Sequence, residues 1–160
     1  MRLILTDTKI DSLAKQPQDT IIQATEKSKN CVGCFGCWLK TPGVCVIHDG
    51  YENMPTLLAE CDKYIVISKI TYGGFSPAIK RLTDRSIGYV LPFFCIKGGE
   101  MHHKQRYNKT LNYTVIFYGE ATDAEKATAQ KLVQANADNM YAKIDKVVFV
   151  RSLQDIKEAL

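Results

Sequence analysis

Five short apolar runs recur along the chain, each bounded by polar residues or glycine, and they predict five buried β-strands. The runs are rich in β-branched and aromatic side chains. They are nearly continuous rather than alternating, which is typical of strands covered on both faces. The predicted strands are residues 2–6, 20–25, 64–68, 113–118 and 146–150.

The intervals between these strands carry helix signals, namely an apolar face, a Ser-Pro start and a capping box. They predict helices over residues 53–61, 76–86 and 122–139, with a last helix opening at Ser152. Alternating strands and helices predict an α/β fold that is flavodoxin-like: a five-stranded parallel doubly wound sheet with helices on both faces. In such a sheet, ligands bind beyond the carboxyl ends of the strands, near the point where strand order reverses.

Composition fits one ordinary domain, residues 1–160, and argues against several classes of protein. Hydrophobic residues make up 46% and charged residues 24% of the chain, as in globular domains. The net charge of +4 comes from scattered basic residues, which falls short of a nucleic-acid-binding signature. No apolar stretch approaches the ~20 residues of a membrane helix, and no signal peptide is visible. We therefore expect a cytoplasmic protein that binds neither membranes nor nucleic acids.

Four of the six cysteines lie close together in the stretch CVGCFGCWLKTPGVC, residues 31–45, which we call the cysteine loop. Gly33 and Gly36 allow the backbone to curl, and the turn residues at 41–43 bring the last cysteine back. Such a cluster in a reducing compartment is typical of metal binding or catalysis rather than of disulfides. Cys61 and Cys95 stand apart and are interpreted as packed thiols.

The spacing of the cysteine loop leaves three kinds of chemistry open. Four thiolates converging from one short loop match the ligand set of a four-iron, four-sulfur cluster. A structural zinc ion is the second option, and a pair of thiols that cycles to a disulfide is the third. The candidate metal ligands are Cys31, Cys34, Cys37 and Cys45.

A second candidate site follows the third predicted strand, in a segment that we call the ring loop. Two adjacent glycines allow close approach to a planar ligand, and two aromatic side chains are available to stack on an isoalloxazine ring. An ordinary strand-to-helix turn is the alternative. The ring loop consists of Thr71, Tyr72, Gly73, Gly74, Phe75 and Ser76.

Residues 31–86 resemble the NADPH-dependent FMN reductase and iron–sulfur flavoprotein families. The resemblance rests on the cysteine loop and on Val46-Ile47-His48-Asp49, Tyr72-Gly73, Lys80 and Asp84-Arg85. It implies a flavin-dependent oxidoreductase or electron-transfer flavoprotein with FMN, and with NAD(P)H or a redox protein as electron partner. It also implies a homodimer or higher oligomer, flavin contacts from the ring loop, and a four-iron cluster on the cysteine loop.

The loop after the first strand departs from this family. A glycine-containing loop holds the FMN phosphate in family members, whereas this chain has Asp7-Thr8-Lys9-Ile10-Asp11. Carboxylates repel a phosphate, so we expect the standard phosphate site to be missing. The alternative function is therefore a non-enzymatic zinc-binding or structural module of the same fold that has lost its flavin.

A long connection over residues 87–112 is apolar in its first half and basic in its second. Connections of this length are often functional. Because residues 91–96 are too apolar to stay exposed, we interpret the segment as a dimer arm. Asp84 and Arg85, just before it, are interpreted as a charge cluster at a helix end.

Overall fold

The computed structural model describes residues 1–10 and 16–160. Its elements, in chain order, are β1 (Arg2–Thr6), β2 (Asp19–Gln23), α1 (Gly36–Leu39), α2 (Met54–Glu60), β3 (Lys63–Lys69), α3 (Pro77–Arg85), a 3-10 turn (Ser86–Tyr89), β4 (Val90–Lys97), β5 (Glu100–Gln105), β6 (Leu111–Tyr118), α4 (Asp123–Met140), β7 (Ala142–Val150) and α5 (Ile156–Ala159).

One sheet of five parallel strands, in the order β2-β1-β3-β6-β7, organises the described residues. The chain runs from β1 outward to β2 and then crosses back to β3, so the strand order reverses between β1 and β3. This is the doubly wound arrangement of a flavodoxin-like fold. The predicted fold class and its five strands are confirmed.

Alternate side chains of the sheet build two cores, one on each face. Leu3, Leu5, Tyr64 and Val66 belong to the larger core, which α2, α3 and α4 cover. The intervening side chains, such as Ile4, contribute to a smaller core with α5. Burial on both faces explains why the strands read as continuous apolar runs.

Side-chain caps fix where the two main helices begin. The Ile79 N–H donates to the Ser76 hydroxyl at the start of α3, and Thr122 with Glu125 forms the predicted capping box of α4. Ser152 does not begin the last helix as predicted. Its hydroxyl donates to Asp155 within a turn, and the helix starts after that turn. None of the described helices is both long and apolar enough to cross a bilayer.

The segment predicted as a dimer arm folds as an antiparallel β-hairpin of β4 and β5. One face of the hairpin packs on the end of α4, where His102 lies within hydrogen-bond distance of Asn139 (3.0 Å) and the Tyr141 hydroxyl donates to His103 O (2.9 Å). The other face exposes Phe94 and Ile96 to solvent. The hairpin is therefore a projecting element with one unpartnered apolar side.

Candidate functional site

A pocket of about 470 Å³ lies beside the cysteine loop, and all four of its cysteines contribute to the lining. The carboxyl-terminal ends of α3 and α4 form the opposite wall, with Arg85 and Met140 among the contributors. The hairpin closes a third side through His103. The fold therefore brings the four predicted metal ligands to one cavity.

Backbone geometry explains how the cysteine loop curls. Gly33 has φ +64°, a conformation that favours glycine. Gly36 packs so tightly on the Val46 side chain that a methyl group at this position would collide with it. The predicted turn then reverses the chain: the Gly43 N–H donates to Cys37 O (2.9 Å), and the Thr41 hydroxyl donates to Val44 O (2.7 Å). Cys45 is thereby returned to the side of Cys37.

The four thiols of the cysteine loop differ in exposure and act on one another. Cys31 and Cys34 are exposed, Cys37 is half-buried and Cys45 is buried, and all are free thiols. Burial raises the pKa of the Cys37 thiol, and the nearby Cys45, Cys31 and Cys34 raise this pKa further. The cavity thus gathers four thiols, and a bound cation would favour the thiolate form of Cys37 that its neighbours disfavour.

The thiols are not arranged around a single ion. A tetrahedral zinc ion with Zn–S bonds of about 2.3 Å needs sulfur atoms roughly 3.8 Å apart. Within residues 1–10 and 16–160, no group of three or more His, Cys, Asp or Glu side chains meets the geometry of such a site. The donor set itself, four thiols in one cavity, has the chemistry that either a four-iron cluster or a zinc ion requires.

A buried ion pair joins the two ends of the cysteine loop. Arg85, at the end of α3, has a fully buried side chain, and its Nη1 donates to both Asp49 carboxylate oxygens (2.8 and 2.7 Å). The Lys29 N–H donates to the same carboxylate (2.9 Å), and Arg85 Nη2 donates to Ile47 O (3.0 Å). Asp49 and Arg85 therefore tie residue 29, before the first cysteine, to residue 47, after the last.

Burial alone would raise the pKa of Asp49, but the hydrogen bonds from Lys29 and Arg85 outweigh it and lower that pKa. Burial opposes the charge of Arg85, yet its contacts with Asp49 and with Cys45 raise its pKa. Both groups therefore stay charged at neutral pH. The Nε–H of Arg85 is buried, and no group within residues 1–10 and 16–160 accepts a hydrogen bond from it.

Aromatic side chains wall the outer side of the pocket. Trp38 stacks on Phe35 (5.6 Å between ring centroids) and leans on His103 (5.1 Å), which in turn contacts Phe94 (4.7 Å). The Trp38 indole N–H donates to Val90 O (2.8 Å). This row of rings connects the cysteine loop to the hairpin.

The ring loop forms a tight turn at the carboxyl edge of the sheet. Thr71 and Gly74 exchange two backbone hydrogen bonds (3.0 and 2.9 Å) around Tyr72 and Gly73, both of which have positive φ. A methyl group on Gly73 would press on Thr128 of α4. Tyr72 is 93% exposed at the tip of this turn, where a planar ligand can reach its ring.

Two residues of the ring loop, Phe75 and Ser76, have structural roles. Phe75 is buried and stacks on Phe117 at 5.4 Å, so Tyr72 is the aromatic side chain that a ligand can reach. The Ser76 N–H donates to the Ser68 hydroxyl (2.9 Å), and Ser76 caps α3. None of residues 71–76 lines the pocket beside the cysteine loop. The two predicted sites are therefore separate places on the surface described.

In the described part of the loop after β1, a carboxylate stands where an FMN phosphate would need hydrogen-bond donors. The Asp7 carboxylate accepts hydrogen bonds from the Lys69 N–H and from the Tyr118 hydroxyl (both 3.0 Å). It thus places a negative charge over the crevice where strand order reverses. Burial raises the pKa of Tyr118, and the Asp7 charge raises it further. Asp11, the other carboxylate of this predicted loop, lies outside the described residues.

Sequence reasoning missed the inward role of Arg85 and the contributions of Trp38 and His103. Arg85 was expected in a charge cluster at a helix end; Asp84 does pair with Lys80 on the helix surface, but Arg85 points inward. A signal was present, because Arg85 follows Ile79 and Leu82 at intervals of three residues and so continues the buried stripe of α3.

Comparisons with known proteins support the resemblance that residues 31–86 indicate. No family model matches the chain. An iron–sulfur flavoprotein of Methanocaldococcus jannaschii is 32% identical over 85 residues, which cover 52% of this chain and 43% of that protein. The chain thus spans less than half the length of this curated relative. The predicted resemblance to iron–sulfur flavoproteins is confirmed.

Two solved structures share the fold over nearly the whole chain. The azoreductase AzrA is 12% identical, with a TM-score of 0.57 over 99% of this chain and 90% of that one. The azoreductase of Bacillus anthracis is 13% identical, with the same TM-score and the same coverage. At this level of identity the similarity shows the fold, and it agrees with the flavodoxin-like architecture described above.

Proposed function

We propose that this protein is an electron-transfer protein of the flavoprotein oxidoreductase class, with a four-iron, four-sulfur cluster as its redox centre. The ligands would be Cys31, Cys34, Cys37 and Cys45. One observation carries the proposal: these four free thiols line a single pocket, where the other three raise the pKa of the Cys37 thiol. The similarity to an iron–sulfur flavoprotein supports the same assignment.

The protein's own residues would bind the cluster and control its surroundings. When bound, such a cluster accepts and donates one electron at a time. Cys45 and Arg85 form the buried side of the site, whereas the exposed Cys31 and Cys34 face the surface that a redox partner can approach. Trp38 shields one wall from water. No side chain has to donate or remove a proton for electron transfer.

The zinc alternative would use the same four thiols, and the geometry of the described residues favours neither metal centre. The similarity to an iron–sulfur flavoprotein is what favours the cluster. A zinc-binding or structural module therefore stands as the outcome that metal analysis would reveal if the proposal is wrong.

We further propose that a flavin, as named for the iron–sulfur relative, would contact this protein through the ring loop. The exposed Tyr72 ring supports this placement. Asp7 offers no match for the phosphate of FMN, so the proposed contact is with the flavin ring system. The family resemblance alone implies NAD(P)H as the electron donor, and we include this donor in the proposal.

Variants of single cysteines test the proposed ligand set. Cys37→Ser removes one of the four thiols, whereas Cys95→Ser removes a half-buried thiol outside the loop and serves as the matched control. After anaerobic purification, we expect Cys37→Ser to lose most of its iron and sulfide and Cys95→Ser to keep both. Equal iron in the two variants would rule out Cys37 as a ligand.

A further inference from the structure

Hydrogen bonds and an ion pair join Arg85 and Asp49 to each other and to the backbone at the base of the cysteine loop. Arg85 binds the Asp49 carboxylate and Ile47 O, and the Lys29 N–H binds the same carboxylate. These partners flank the cysteine loop on both sides, yet neither charged residue belongs to the ligand set. Charge-assisted hydrogen bonds of this kind are the strong ones in proteins.

The cost of burying this ion pair argues for a role other than a net gain in the stability of the fold. An ion pair removed from water is rarely a net gain in stability, because desolvation offsets much of the attraction. Arg81, on the same helix as Arg85, pairs with the exposed Glu26 (3.0 Å), and this surface pair carries no such cost. Arg85, in contrast, is a buried charge whose contacts hold the two ends of the cysteine loop together.

Arg85 also keeps an unused donor beside the pocket that the cysteines line. Its Nε–H is buried and finds no acceptor among the described residues, and a buried unpaired donor is destabilising unless a ligand accepts its hydrogen bond. The guanidinium already interacts with Cys45. A cluster bound by four thiolates carries net negative charge, and N–H donors to its sulfurs are a recognised means of tuning reduction potential.

We propose that Arg85 and Asp49 form a clasp that positions the cysteine loop, and that Arg85 supplies the positive charge and N–H donor that stabilise the reduced cluster. Both are positioning residues, because they act through the loop and its thiolates. The electrostatic half of this inference rests on the proposed function. The mechanical half concerns the loop alone and holds for the protein without metal.

Two measurements test the positioning of the loop and the stabilisation of the cluster separately, and Arg81→Gln on α3 is the matched control for both. In metal-free protein, hydrogen exchange of the Lys29 amide reports the clasp. We expect Arg85→Met to speed this exchange about tenfold or more, since charge-assisted hydrogen bonds are lost. Arg85→Lys keeps the charge without the forked donors and should also speed it. Arg81→Gln should leave it unchanged.

In cluster-loaded protein, the midpoint reduction potential reports the charge. We expect Arg85→Met to shift the potential to a more negative value, Arg85→Lys to stay near the wild type, and Arg81→Gln to match it. Because Arg85→Met leaves a buried unpaired carboxylate, the double variant Asp49→Asn with Arg85→Met provides a folded alternative. The Lys29 amide should again exchange faster, and the potential should shift less than in Arg85→Met, since a positive and a negative charge are removed together.

Wild-type exchange in both the single and the double variant, together with a wild-type potential in Arg85→Met, would overturn the inference. A wild-type protein that holds no iron or sulfide would instead contradict the proposed function. Exchange of the Lys29 amide in the metal-free variants would then still decide the clasp, with faster exchange supporting it and unchanged exchange refuting it.

Discussion

The cysteine thiols of this protein differ in exposure and in neighbouring groups, and both properties affect their reactivity. Cys61 is fully buried, and this burial raises its pKa to about 11. Cys37 is half-buried, and its pKa is raised by burial and by the other cysteines of the loop. Since only the thiolate attacks an alkylating reagent, a raised pKa lowers reactivity at any pH below that value.

Alkylation kinetics of metal-free protein test this ranking of thiols. With iodoacetamide and peptide mass spectrometry, we expect Cys31 and Cys34 to react first and Cys61 to stay unmodified until the protein unfolds. The rate at Cys37 should rise with pH through an inflection above the ordinary thiol range. Equal rates for Cys37 and Cys31 near pH 7 would contradict the described environment of the loop.

At the scale of elements, the curl of the cysteine loop depends on the close approach of Gly36 to Val46. A methyl group at residue 36 would meet a stiff, branched side chain, and such overpacking typically costs about 1–3 kcal/mol. The loop geometry, and with it the convergence of the thiols, therefore depends on one glycine that the sequence pattern identifies only as a source of backbone freedom.

The variant Gly36→Ala tests this contact. We expect a lower melting temperature and weaker iron retention, because the added methyl group pushes Val46 and the neighbouring Cys45 outward. Val46→Ala in the same chain makes room and should restore much of both properties. A single variant that melts and retains iron like the wild type would show that the contact does not shape the loop.

Sequence patterns predicted the elements well where one local rule decided them. The five strands and the capping box of α4 follow from apolar runs and from Thr122 with Glu125. The predicted start of α5 at Ser152 was wrong, because Ser152 and Asp155 form hydrogen bonds with each other in a turn. The inward Arg85 and the buried Phe75 depend on partners distant in sequence, which no local pattern specifies.

At the scale of the whole molecule, the hairpin of β4 and β5 leaves an apolar face uncovered. Phe94 and Ile96 are exposed, and the row of rings from Phe94 through His103 and Trp38 to Phe35 continues this face to the cysteine loop. Exposed apolar surface of this kind is typical of an interaction site. We propose that a second copy of the chain covers it, as the family resemblance implies.

Changes on this face test the proposed dimer. We expect sedimentation equilibrium to show a dimer for the wild type and a monomer for the double variant Phe94→Ser with Ile96→Ser. Leu153→Ser, which removes an exposed apolar side chain elsewhere, is the control and should remain dimeric. A wild-type protein that stays monomeric at all concentrations measured would refute the proposal.

The measurement that tests the central claim most directly is the metal and sulfide content of wild-type protein purified without oxygen, with electron paramagnetic resonance after reduction. The account predicts about four iron atoms and four acid-labile sulfides per chain, and a paramagnetic signal from the reduced cluster. One zinc ion per chain without iron, or no metal at all, would contradict an iron–sulfur centre on Cys31, Cys34, Cys37 and Cys45.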